Sequence, residues 1–115
     1  MVEVSKEGDS AVFNVKGLHK LWAFKSQIQI PLAHIRGARQ DAEALKGWWK
    51  GFRAPGTHVP GLITAGTFYQ DDKRIFWDVH NSENAVIIDL VHDEYNQLIV
   101  EVEDPAAVIA LLERE

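Results

Sequence analysis

From Ile63 onward, apolar and polar residues alternate along the chain with a period of two, the mark of strands that bury one face. In KRIFWDVHN, residues 73–81, Ile75, Trp77 and Val79 fall on one face, and Arg74, Phe76, Asp78 and His80 on the other. The first set is expected to point inward. In AVIIDLVHD, Val86, Ile88 and Leu90 alternate with Ile87 and Asp89; in YNQLIVEVED, Leu98, Val100 and Val102 alternate with Glu101 and Glu103. The joints at 70–73, 81–84 and 93–94 are short, polar and rich in turn formers, which predicts hairpins. Residues 62–103 are therefore expected to form a four-stranded antiparallel meander with half-solvated faces.

The front half carries a weaker version of the same pattern. AVFNVKG places Phe13 and Val15 on one face, and LWAFKSQIQI offers Trp22, Phe24, Ile28 and Ile30 before Pro31 ends the run. A short strand around Ala33 to Gln40 brings the expected total to seven. The chain then closes with DPAAVIALLERE, where Asp104 suits an N-cap and Pro105 the first helical position. Val108, Leu111 and Leu112 give that helix an apolar stripe, and Arg114 sits where the helix dipole favours a cation.

Between these halves lies LKGWWKGFRAPGTHVPG, residues 45–61, which sets two adjacent tryptophans among four glycines, two prolines and three basic residues. Counting from Asp41, Leu45, Trp48, Trp49 and Phe52 recur at the spacing of one helical face, with Glu43, Lys46, Lys50 and Arg53 on the other sides. Gly47 and Gly51 each weaken such a helix by about 1 kcal/mol relative to alanine, so it needs a surface to lie on. The two Pro-Gly pairs that follow predict an extended connection with tight turns. The segment at about 41–61 is thus a long loop or a short helix.

Length bounds the rest: 115 residues fit one domain, 1–115, with a core large enough to need neither disulfide nor metal. With no cysteine, thiolate chemistry and Cys-based zinc sites are excluded. The N-terminus has no basic and apolar leader pattern and no run approaches spanning length, so the expected location is cytoplasmic. A net charge of −5 opposes nucleic acid as a partner. That charge is uneven. Residues 1–60 carry nine Lys and Arg against five acids, while residues 61–115 carry three against twelve. Such polarity suits steering of an anionic partner to one side or head-to-tail contact between copies, although strands paired in space also exchange sequence-distant charges.

Seven antiparallel strands followed by one helix is the order of the pleckstrin-homology fold. More closely, Pro60-Gly61, Gly66-Thr67-Phe68-Tyr69, Phe76-Trp77-Asp78-Val79, the run AVIIDL from Ala85 to Leu90, and Val102-Glu103-Asp104-Pro105 resemble motifs of bacterial pleckstrin-homology-like (PH-like) domains. The resemblance covers the second half of the chain, and the first half only by strand number. It implies a mainly-β fold with a C-terminal α-helix (α+β): a strongly bent seven-stranded antiparallel barrel capped by that helix. It implies no activity.

Lipid-binding members of that fold hold inositol phosphates with Lys and Arg near the first strand joint. Here Lys16, His19, Lys20 and Lys25 stand there without an arginine or a loop to cradle a phosphate. Catalytic chemistry has little to build on. Asp78 and His80 share one strand face, but no Gly-x-Ser-x-Gly accompanies them. The five histidines show no His-x-x-x-His spacing and no tight carboxylate partnership, so no metal and no cofactor is expected.

The reading is a non-catalytic binding domain. Its contact surface is placed at Leu45, Trp48, Trp49, Lys50, Phe52, Arg53, His58 and Pro60. Three surfaces compete for the aromatic stripe: the protein's own sheet, a second copy or protein partner, and an anionic membrane. The expected role is self-association or capture of a protein partner. A peripheral membrane binder is the alternative, and a small hydrolase the remote one.

Overall fold

Why the strand Gln97–Glu101 sits in the middle of this protein follows from its composition. Leu98, Ile99 and Val100 are apolar in succession, so the strand has a hydrophobic side chain for each face of a sheet. The computed structural model describes residues 2–16, 27–41, 57–59, 63–70, 72–80 and 82–113, with the backbone alone at 57–59, 63–65, 70 and 82. The strands are β1 (Val2–Glu7), β2 (Ser10–Val15), β3 (Gln27–Pro31), β4 (Ile35–Arg39), β5 (Thr57–Val59), β6 (Ile63–Gln70), β7 (Lys73–Val79), β8 (Ala85–Leu90) and β9 (Gln97–Glu101). One α-helix, α1 (Pro105–Leu112), follows. The fold is mainly β with a C-terminal helix.

Among the described residues the strands number nine rather than seven: eight of at least five residues and a ninth, β5, of three. The first was overlooked because Glu3, Lys6 and Glu7 interrupt a run in which only Val2 and Val4 are apolar. Nor do the described strands close into a barrel. They form a three-stranded sheet, β1-β2-β3, and a six-stranded one, β4-β8-β9-β7-β6-β5. Each sheet ends in strands hydrogen-bonded on one side only among the described residues, whereas closure pairs the last strand with the first.

The expected meander is also corrected. β6 and β7 do form an antiparallel hairpin, and so do β8 and β9. But β9 lies between β8 and β7 and runs parallel to β7, with Ile75 opposite Gln97 and Asp78 opposite Val100. A central strand loses both solvated edges and both solvated faces, which suits a run with no polar residue at 98–100. The connection after β7 passes the end of β9, where Val102 N donates to Asn84 O at 3.0 Å.

The expected half-solvated faces are replaced by burial on both sides. Phe76, Val86, Ile88, Leu98 and Val100 join Phe13, Val15, Ile28 and Ile30 in the main core between the two sheets. The alternate residues Ile75, Trp77, Val79, Ile87 and Ile99, with Phe68 and Ala85, form a second buried cluster. Phe76, expected outward, is therefore core. Asp78, also expected outward, is fully buried.

The helix begins as its sequence predicts. Asp104 Oδ1 accepts from Ala107 N at 3.1 Å, with Pro105 at the first helical position. Leu112 is buried, and Val108 and Ile109 pack against the main core. At the other end of the chain, β1 turns into β2 through Gly8 and Asp9, with Glu7 opposite Ser10. Gly8 has φ of 59°, the left-handed conformation that glycine adopts without steric cost.

Candidate functional site

Of the expected contact residues, Leu45, Trp48, Trp49, Lys50, Phe52, Arg53 and Pro60 lie outside the described residues. His58 has its backbone in β5, opposite Thr64 of β6. Among the lysines near the first strand joint, Lys16 is described and exposed; His19, Lys20 and Lys25 fall outside, as does Arg114.

The two residues considered for catalysis differ in their surroundings. Asp78 is enclosed in the protein, while His80 is exposed and its backbone N–H donates to Glu101 Oε1 at 3.0 Å. A different histidine has the carboxylate partner that the sequence did not reveal. His34 Nδ1 lies 2.7 Å from Asp93 Oδ2, across a sequence separation of 59 residues. Beside it, Val91 N donates to His34 O at 2.8 Å. Among the described residues no third His or acid joins the pair in a metal-holding group, and its geometry is that of a link between the turn before β4 and the turn after β8.

An apolar groove of about 490 Å³ lies between β1 and α1. Its walls are Val2 and Val4 from β1, Val102 after β9, and Val108 and Leu111 from the helix. Two properties of the sequence leave it there. β1 ends the three-stranded sheet, so one of its edges has no strand beside it among the described residues. And α1, PAAVIALL, has no polar side chain at all, more apolar surface than one core stripe needs.

The rim of this groove is acidic. Exposed Glu3, Glu103 and Asp104 stand around it, with Lys16 as the one cation lining it among the described residues. Asp104 already serves the helix start. The groove thus presents apolar walls inside a negative border, complementary to an apolar segment that carries positive charge. Sequence reasoning missed it because it read Val2 and Val4 as no strand and α1 as a single stripe; the uniformly apolar helix was the available signal.

A second, polar hollow of about 310 Å³ opens at the other end of β9, lined by Arg36, Lys73, Asp89, Leu90, Asn96 and Gln97. Near it Arg74 is held in place, with its guanidinium 5.1 Å from the Tyr95 ring centre and its Nη1 2.8 Å from Glu94 Oε1. Tyr95 is itself buried, edge-on to Phe76 with ring centres 6.0 Å apart.

Compared with known proteins, the chain matches no family model, and no curated protein or solved structure matches it. The site is therefore read from its own chemistry.

Proposed function

We propose that this protein is a non-catalytic interaction domain that associates with copies of itself, the aromatic and basic stretch 45–61 of one copy meeting the acid-rimmed groove of another. The observation that supports this most is the groove: apolar walls from Val4, Val108 and Leu111 within a border of Glu3 and Glu103. The stretch supplies the complement, with Leu45, Trp48, Trp49 and Phe52 as apolar anchors and Lys46, Lys50 and Arg53 as cations. Tryptophan and arginine are the residues that most often dominate binding energy at such contacts. The same acidic border opposes an anionic membrane as the occupant of the groove.

The PH-like resemblance belongs to this proposal at the level of a β-domain ending in a helix, as does a cytoplasmic location. Among the described residues no helix is long and apolar enough to cross a membrane.

Sedimentation velocity across a dilution series tests the reading. The wild-type chain is expected to shift from oligomer to monomer on dilution. Trp48→Ala with Trp49→Ala is expected to raise the dissociation constant by about tenfold or more, as loss of a hot spot does. A wild-type chain that stays monomeric up to millimolar concentration would remove the proposal.

A further inference from the structure

The polar hollow at the start of β9 has the makings of an anion site. One lining residue, the exposed Asn96, is fixed in place: its N donates to Arg74 O at 2.8 Å, its Oδ1 accepts from Arg74 N at 2.8 Å, and its O accepts from Leu90 N at 2.9 Å. With its side-chain oxygen engaged, the Asn96 amide keeps its NH₂ as a donor. Among the described residues, the one carboxylate lining the hollow is satisfied on both oxygens. Asp89 Oδ1 accepts from Gln97 Nε2 at 2.8 Å, and Asp89 Oδ2 pairs with Arg39.

The two remaining charges are both positive. Arg36 and Lys73 are exposed and have no acidic partner among the described residues, although twelve acids lie in residues 61–115. Arg36 stands at an irregularity of the backbone. The register of β4 against β8 shifts between Ile35 and Gly37, which takes Arg36 out of the ladder. A bulge of this kind re-aims a side chain, and bulges concentrate beside functional sites. Here Arg36 and Lys73 come from β4 and β7, with β8 and β9 between them, to line one hollow.

We propose that this hollow binds a small phosphate monoester. Arg36 supplies a guanidinium whose paired N–H groups match two phosphoryl oxygens, Lys73 a second cation to balance a dianion, and Asn96 a neutral donor. At about 310 Å³ the hollow has room for the group that carries the phosphoryl as well as for the phosphoryl itself. It lies at the end of β9 opposite the apolar groove, so the two sites stand or fall separately.

The test is a ¹⁵N–¹H NMR titration of the full chain with glycerol phosphate, with inorganic phosphate in parallel and sodium chloride at matched ionic strength as control. Saturable shifts at Arg36, Lys73, Asn96 and Gln97 are expected with the ester, smaller ones with inorganic phosphate and none with chloride. Arg36→Gln with Lys73→Gln should weaken the ester by about tenfold or more, since charge-assisted hydrogen bonds are lost. Both side chains are exposed, and unchanged β8 and β9 resonances would certify the variant's fold. Shifts scattered over the surface, equal in chloride or unchanged in the variant, would overturn the site. So would the absence of any shift in the wild type.

Discussion

The centre of the six-stranded sheet and the border between β1 and α1 are both apolar, yet they use that surface in opposite ways. At the centre, Ile87, Leu98, Ile99 and Val100 are fully buried, and residues on both faces of β9 belong to packed clusters. At the border, Val4, Val108 and Leu111 are only half-buried and face a groove. Burial at the centre stabilises the fold. Apolar surface kept at the border adds less stability and remains available to a partner.

Truncating each region in turn should separate the two roles. Leu98→Ala removes buried side chain from the central strand and should lower unfolding free energy by about 2–5 kcal/mol, read by urea denaturation. Leu111→Lys, on the groove wall, should cost about 1 kcal/mol or less, because the lysine stem covers the same surface while its charge reaches water. The order reverses for assembly: Leu111→Lys should abolish the concentration-dependent shift in sedimentation that folded Leu98→Ala retains. Equal effects of the two on stability would erase the distinction between centre and border.

A smaller change probes where the regions meet. Asp104 both starts α1 and stands on the groove's rim. Asp104→Ala leaves Ala107 N without its side-chain acceptor and should lower stability by about 1 kcal/mol. Assembly should weaken less than in Leu111→Lys, since one rim charge is lost while the apolar wall stays whole.

Local signals in the sequence were legible where one short segment determines the outcome. The Asp104-Pro105 start of α1, the inward Phe13, Val15, Ile28 and Ile30, and the β6–β7 hairpin all depend on near neighbours, and all are found. The order of the strands was not legible. Alternation distinguishes one face from the other, but it does not say which strand lies beside which, and hairpin-length joints at 81–84 suggested a meander that the insertion of β9 breaks. A signal was nonetheless present: Ile75-Phe76-Trp77, Ala85 to Ile88 and Leu98-Ile99-Val100 are continuous apolar runs, which belong to strands covered on both faces.

For the candidate site the division is similar. The aromatic stretch was visible as composition, whereas the groove is formed by residues more than 95 positions apart, Val4 and Leu111 among them. The His34–Asp93 contact and the Arg36–Lys73 hollow likewise join distant segments, and no spacing in the sequence announces either.

The most direct test of the central claim exchanges charges across the proposed contact. One variant carries Lys50→Glu and Arg53→Glu in the stretch; the other carries Glu3→Lys and Glu103→Lys on the rim. Sedimentation of each alone should show monomer, because like charges then face each other, and mixing the two should restore a complex through both complementary contacts. If each variant assembles as the wild type does, or if the mixture stays monomeric while the wild type assembles, the stretch and the groove are not partners.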